Sequence, residues 1–507
     1  MIQDRIRCSG LAQRIMSAQA AALLIQDGMT VGVSGFTPSG CPKAVPEALA
    51  QQVTQQGRNV HITLLSGAST GDEIDTLLGN AGVIARRAPY ITCESLRKSI
   101  NSGQVAYQDV HLGEMAQQAR YGQYGKIHIA LVEACAITEE GGIVPTTAVG
   151  CAQTYVALAD RVIVELNLTQ PAGLEGFHDI YRVQDPPYRK PIPLTQVGER
   201  IGVPYIPCDP EKIAAIVISQ CPEKPRSLAK PDECSQKIAD HIVSFLQAEH
   251  QAGRLSAQDV PLQSGVGSVA NAVLSGLKAS NFTHLRFYSE VMQDAMVDLI
   301  DCKKADFCSA TSMCLSQQGM AALLANLDGY RDKIVLRDSE ISNSPEVIRR
   351  LGVIAMNTAI EVDLYGNVNS SHMGGTRIYN GIGGSGDYAR SASLSIFMTS
   401  SVAKGGRVSS IVPMVSHVDH PEHDVDVIVT EQGIADLRGK SPRERAALII
   451  QHCAHPMYRP QLQAYFEAAC AHCGMAQTPQ LLHSAFSLHT QLEETGTMLE
   501  QTERMLA

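Results

Sequence analysis

Residues 260–290 read VPLQSGVGSVANAVLSGLKASNFTHLRFYSE. Val260 to Gln263 predicts a strand, and the Ser-Gly alternation of Ser264-Gly-Val-Gly-Ser268 predicts a tight loop. The spacing of alanine, valine and leucine to about Leu277 predicts a helix, and His284 to Tyr288 predicts a second strand that turns at Ser289-Glu290. This order of strand, Ser-Gly loop, helix and strand is the building unit of a parallel sheet covered by helices. It recurs near the N-terminus, with a strand at Met29 to Val33, a loop at Gly35 to Gly40, a helix at Pro46 to Gln55 and a strand at Val60 to Leu65. A second loop, Ser66-Gly-Ala-Ser-Thr-Gly71, follows. Identity between the two halves is weak, so the repetition is compatible with an internal duplication without demonstrating one. The fold class is α/β, with two similar domains whose mainly parallel sheets are covered by helices.

A domain boundary is expected between them. The stretch CPEKPRSLAKPDECSQ, after Gln220, concentrates Pro, Lys and Ser behind a strand-like run that ends near Ser219, as an exposed linker does. The division falls near 225–232, giving an N-terminal α/β domain, 1–228, and a C-terminal one, 229–507, that carries Glu290 and ends in surface helices from about Ser441. Leu11 to Gln26 reads as one amphipathic helix ending at Asp27-Gly28, and Val291 to Ile300 as the helix after Glu290.

Composition narrows the classes. The 507 residues carry 41 Lys+Arg against 51 Asp+Glu, a net charge of −10, with 44% hydrophobic residues, which excludes the disordered, fibrous and coiled-coil classes. An acidic chain has no general affinity for nucleic acid or anionic lipid, so an anionic ligand must be met by a local site. No apolar run reaches the roughly 18 residues needed to cross a bilayer. Arg5, Arg7 and Arg14 resemble a transit peptide only faintly, and the expected location is the cytoplasm, with no membrane or nucleic-acid partner. The 14 cysteines show no framework spacing and are expected to be reduced. Cys470-Ala-His-Cys473 has no second Cys/His pair at zinc-finger spacing, and Pro421 places His417, His420 and His423 in a loop, so no metal is expected.

Two loops invite chemistry. Gly265-Val-Gly-Ser-Val-Ala270 nearly matches a dinucleotide fingerprint, and Glu290 follows Gly265 by 25 residues, close to where a ribose-binding acid would stand. Hydride transfer is therefore one reading. The densest glycine cluster, Asn380-Gly-Ile-Gly-Gly-Ser-Gly-Asp387, supports another, because successive amides of Gly383, Gly384 and Gly386 can form an oxyanion hole of use in acyl transfer. The same glycines also suit plain tight turns, and composition and spacing leave the choice open.

A resemblance bears on that choice. LQSGVG (Leu262 to Gly267), YSEVMQD (Tyr288 to Asp294), ISNSPEVIRRLGVIAMN (Ile341 to Asn357), NGIGGSGD (Asn380 to Asp387), AKGG (Ala403 to Gly406), VPMVSHVDH (Val412 to His420) and TEQGIADLRG (Thr430 to Gly439) resemble the acetyl-CoA hydrolase/transferase family of class I CoA-transferases. GFTPSGCPKAVP (Gly35 to Pro46) and SGAST match as well, so the likeness covers nearly the whole chain. Within the family it is strongest to the bacterial succinyl-CoA:acetate branch.

The resemblance implies two CoA-transferase-type domains and a role for each matching position. Glu290 corresponds to the nucleophile that attacks an acyl-CoA thioester, passing through an acyl-glutamyl anhydride to a glutamyl-CoA thioester. The amides of Val266 and Gly384 would hold the oxyanion, and Asn343 would position the glutamate. Gly265, Val266, Gly267, Ser268, Val269, Ile360, Asn380, Gly384 and Lys404 match CoA-binding positions. The implied reaction is succinyl-CoA plus acetate to acetyl-CoA plus succinate, with propionyl-CoA:succinate exchange or acetyl-CoA hydrolysis as alternatives. No cofactor beyond coenzyme A as substrate is implied, and the family's homodimeric state is expected. A CoA-binding sensor would tolerate loss of the nucleophile, and Glu290 is present.

Overall fold

The strands expected on either side of the Ser-Gly loop form at Pro261–Ser264 and Leu285–Tyr288, with helix Ser268–Ala279 between them in sequence. The computed structural model describes residues 2–224, 231–256 and 261–499, so Val260 and residues 225–230 of the expected linker lie outside the described residues. Two compact units emerge. The first takes its residues from Met1–Ser227, His284–Leu351 and Asn380–Asp387, and the second from Leu228–Thr283, Gly352–Tyr379 and Tyr388–Ala507.

This corrects the contiguous division into 1–228 and 229–507. The second half of the chain is shared between the units, because His284–Leu351 supplies strands that pair with the N-terminal segment. Leu336 and Arg337 pair in parallel with His178 and Asp179, and the buried Arg337 guanidinium is salt-bridged to Asp179. Arg120 makes a bidentate ion pair with Glu340 at 2.8 and 2.7 Å.

The first unit contains an all-parallel sheet in the spatial order Ile213–Ser219, Arg161–Asn167, Ile129–Ala134, Thr30–Val33, Ile62–Leu65, Ile84–Ala88, Ala106–Tyr107. Its central strands are buried on both faces, as a sheet covered on both sides requires. Helix Ala44–Gln56 contributes Val45, Ala48 and Leu49 to a core shared with Val31, Val33 and Leu64. Its N-terminus is capped from the sheet, where the buried Glu165 carboxylate accepts hydrogen bonds from the backbone amides of Lys43, Ala44 and Val45 at 2.9–3.1 Å. The same unit carries the parallel strands Leu285–Tyr288, Ala305–Ala310, Ile334–Arg337 and His178–Asp179.

In the second unit, strands Pro261–Ser264, Ile354–Thr358, Leu394–Met398 and Val427–Thr430 run parallel in that order, and Gly433–Asp436 closes the edge antiparallel. Helices Pro442–His452, Arg459–Cys473 and Ser487–Thr495 form the tail. They do more than lie on the surface: Ala446, Ile449, Ile450, Leu462 and Leu488 complete a core with Phe397 and Ile428. The first of them starts at a capping box between Ser441 and Glu444.

Two local expectations change. Leu11 to Gln26 is a 3₁₀ turn, Leu11–Arg14, and a short helix, Ala18–Ala22, rather than one helix. Ile15 is extended and bridges Ile216 of the sheet, and Ser17 caps the new helix by accepting from the Ala20 amide at 3.1 Å. After Glu290, Val291–Met292 pairs with Ser312–Met313 as a strand, so the helix starts only at Asp294.

Candidate active site

Glu290 stands just past the carboxyl end of strand Leu285–Tyr288, where parallel sheets gather their sites. Its backbone carbonyl accepts from the amides of Thr311 and Ser312 at 2.9 and 3.1 Å, which fixes the turn. The carboxylate is half-buried, and Oε1 accepts a 2.9 Å hydrogen bond from Nδ2 of Asn343. Among the described residues that is its one hydrogen-bond partner. Burial with so little compensation pushes the Glu290 pKa up to about 7, and the Asn343 hydrogen bond limits the rise.

Asn343 is fully buried and follows the short helix Ser339–Ser342, whose first turn is capped by Asp338. Its own amide donates to the Ser339 carbonyl at 2.8 Å. The Arg120–Glu340 ion pair ties that short helix to helix Leu112–Arg120. Nδ2 of Asn343 lies 3.3 Å from Oδ2 of Asp387 as well as within reach of Glu290, and the Gly113 amide donates to the same Asp387 oxygen at 3.0 Å. Asp387 is 5% exposed. Its pKa is held well above the usual carboxylate range, chiefly by burial, with the Glu290 charge adding to the rise and the Gly113 amide opposing it.

Gly384 leaves room for this arrangement. A Cβ built there would overlap Oε1 of Glu290 and Nδ2 of Asn343, so any side chain would displace the Glu290 carboxylate. A Cβ on Gly113 would likewise overlap the Asn343 carbonyl oxygen. The structure therefore brings Glu290, Asn343 and Gly384 together, and adds Asp387 and Gly113, which sequence reasoning did not assign. Asp387 ends the quoted NGIGGSGD motif, but its partner Gly113 is 274 residues away in sequence, so no local pattern announces the pair.

The other expected positions have their own settings. Asn380 donates from Nδ2 to the Tyr90 hydroxyl at 3.1 Å, and its carbonyl accepts from Tyr107 Oη at 2.7 Å. In the second unit, Gly265, Val266, Gly267, Ser268 and Val269 are half-buried on the loop and first turn of helix Ser268–Ala279, with Gly267 at φ 136°. Ile360 is half-buried and donates its amide to the Asn369 carbonyl at 2.8 Å, and Lys404 is exposed in the turn between Val402–Ala403 and Val408–Ser409. His417 stacks on His372 with ring centroids 3.8 Å apart, whereas His420 is buried against Phe397. Among the described residues no three His, Cys, Asp or Glu side chains are placed to hold a metal, and no helix is long and apolar enough to cross a membrane. A cavity of about 850 Å³ in the first unit, lined by Thr37, Lys43, Glu223, Lys224, Met313 and Leu324 among others, does not include Glu290.

A half-buried, singly hydrogen-bonded carboxylate with glycine backbone beside it is equipped to attack an electrophilic carbonyl. The family models for the acetyl-CoA hydrolase/transferase N-terminal and C-terminal domains match residues 3–218 and 319–466. The chain belongs to the acetyl-CoA hydrolase/transferase family. It is 52% identical to the succinyl-CoA:acetate CoA-transferase of Clostridium kluyveri, over 98% of this chain and 92% of that one. It is 44% identical to the propanoyl-CoA:succinate CoA transferase of Escherichia coli, over 96% and 98%. An acetyl-CoA hydrolase of Candida glabrata is 42% identical over 98% and 97%. Among solved structures, RipA from Yersinia pestis superposes with a TM-score of 0.70 at 23% identity, over 89% of this chain and 97% of that one, which shows the same fold. Family membership also decides between the two sequence readings of Glu290, favouring acyl over hydride transfer.

Proposed function

We propose that this member of the acetyl-CoA hydrolase/transferase family is a CoA-transferase that converts succinyl-CoA and acetate to acetyl-CoA and succinate, with Glu290 as nucleophile. The observation that carries the reading is the Glu290 carboxylate itself, held at 2.9 Å by Asn343 against the bare backbone of Gly384. The 52% identity to a succinyl-CoA:acetate CoA-transferase supports the substrate pair.

In this reading a Glu290 oxygen attacks the thioester carbonyl and the CoA thiolate leaves, giving a succinyl-glutamyl anhydride. The thiolate then attacks the glutamyl carbonyl carbon, expels succinate and leaves a glutamyl-CoA thioester. Acetate attacks that carbonyl, the thiolate leaves again, and its attack on the acetyl carbon of the new anhydride releases acetyl-CoA and restores Glu290. The amides of Val266 and Gly384 would bear the oxyanion charge, with Asn343 orienting the glutamate. Gly265 to Val269, Ile360, Asn380, Gly384 and Lys404 would hold CoA, whose remote contacts supply binding energy for the reacting carbon. No metal or redox group takes part. The enzyme would work as a homodimer in the cytoplasm.

Hydrolysis is the second reading, favoured by the 42% identity to an acetyl-CoA hydrolase, and it requires water to reach the glutamyl thioester. The test is succinyl-CoA with and without acetate. A transferase releases little free CoA alone, and acetate accelerates succinyl-CoA consumption at least tenfold with acetyl-CoA as product. Thiol release indifferent to acetate, propionate or succinate would establish the hydrolase. Propionyl-CoA formed faster than acetyl-CoA would assign the propionate branch.

A further inference from the structure

We propose that Asp387 is a positioning residue for Glu290, acting through the Asn343 amide; the inference rests on Glu290 being the nucleophile. Three observations bear on it. Nδ2 of Asn343 lies between two carboxylates, 2.9 Å from Glu290 Oε1 and 3.3 Å from Asp387 Oδ2. Asp387 is itself fixed by the 3.0 Å hydrogen bond from the Gly113 amide at the start of helix Leu112–Arg120. Oδ1 of Asn343 is buried and has no hydrogen-bond partner among the described residues. The amide is thus oriented from its nitrogen side alone, by acceptors.

That asymmetry gives Asp387 a task that Glu290 cannot perform. While Glu290 is a carboxylate, it holds Asn343 Nδ2 by a charge-assisted hydrogen bond. Once Glu290 is acylated its charge is gone and it becomes a poorer acceptor, so nothing on the Glu290 side keeps the amide from turning. Asp387 is untouched by the chemistry and keeps Nδ2 facing the glutamyl carbonyl through the covalent stages, so that the glutamyl group stays oriented for each attack. The ionisable groups around Asp387 are Glu290, Glu114 in the first turn of helix Leu112–Arg120, and His111, whose Nδ1 is 3.9 Å from Oδ1. Repulsion from two acids favours a role in which hydrogen-bond geometry, rather than charge, is what Asp387 supplies.

The test is a double-mutant cycle of Asp387→Ala with Asn343→Ala, read as kcat and KM for succinyl-CoA with acetate, and run beside Glu290→Ala. Asp387→Ala is expected to lower kcat by roughly ten- to a hundredfold, because a misplacement of about 1 Å costs up to that much. KM should stay within about threefold, and Asp387→Asn, which keeps an acceptor oxygen in the same place, should recover most of the loss. In the Asn343→Ala background, Asp387→Ala should change kcat by less than about twofold. Asp387→Ser, smaller but polar, reports the same loss if the alanine variant does not fold. Unchanged kcat in Asp387→Ala, or losses that multiply in the double variant, would overturn the role of Asp387 while leaving the nucleophile in place. Full turnover in Glu290→Ala would instead remove the nucleophile on which it rests.

Discussion

The first unit buries carboxylates in two places and treats them differently. Around Lys43, Glu133 receives the ammonium at 2.6 Å, Asn167 Nδ2 at 3.0 Å and Thr146 Oγ1 at 2.8 Å, while Glu165 takes backbone amides of a helix N-terminus. Glu290 receives one amide N–H and faces another acid across it. A raised pKa does not separate the two regions, since Glu223, near Lys43, is also pushed up to about 7 by burial and by the Glu133 charge. The donors do. Glu223 accepts from the Gly40 amide at 2.7 Å and from the Thr147 hydroxyl, so both clusters are desolvated but only one is left short of partners. A carboxylate held by two or more donors is a strut; one left with a single donor keeps its reactivity.

The contrast breaks most sharply at Glu290. Glu290→Ala should lower acetyl-CoA formation from succinyl-CoA and acetate by more than about a thousandfold with the fold intact by circular dichroism. Turnover within tenfold of the parent would place Glu290 among the struts.

Stability should then respond with opposite signs. Glu133→Gln strips the charge partner from a buried ammonium and should cost about 3–5 kcal/mol in urea unfolding. Glu290→Gln should stabilise the protein at pH 8 by about 1–3 kcal/mol. The sign follows from the raised pKa: the folded state prefers the protonated acid, so that contribution is complete below the ordinary glutamate value of 4.5 and lost as pH rises through about 7. Two destabilised variants would mean that Glu290 is structurally held after all.

The rate carries the reverse dependence. With the Glu290 carboxylate as the proposed attacking form, kcat/KM for succinyl-CoA should rise with pH through about 7 and fall about tenfold per unit below it. A profile flat down to pH 5 would mean a carboxylate that substrate-free burial does not perturb. The smallest effect belongs to the helix cap. Glu165→Gln keeps part of the acceptor set and should cost about 1 kcal/mol, with kcat unchanged.

What could be read in advance was what local sequence encodes. The strands at Thr30–Val33, Ile62–Leu65 and Leu285–Tyr288 follow from short apolar runs bounded by glycine and serine, and the candidate grouping of Glu290, Asn343 and Gly384 from their motifs. What escaped depends on distant partners. Ile15 leaves its helical register because Ile216 offers a sheet edge, and His284–Leu351 joins the first unit because Leu336 finds His178. Asp387 was in view inside a quoted motif, yet its meaning comes from Gly113, and no periodicity links positions so far apart.

The bare backbone at Gly384 has a consequence for the mutational landscape of the enzyme. Around most reactive groups a substitution is tolerated or rejected according to polarity; here the space is already taken by Oε1 of Glu290 and Nδ2 of Asn343. Alanine should therefore be rejected as firmly as aspartate or leucine in a saturation library at this position, leaving a column with one permitted letter. The smallest change of volume would be as disabling as the largest change of chemistry.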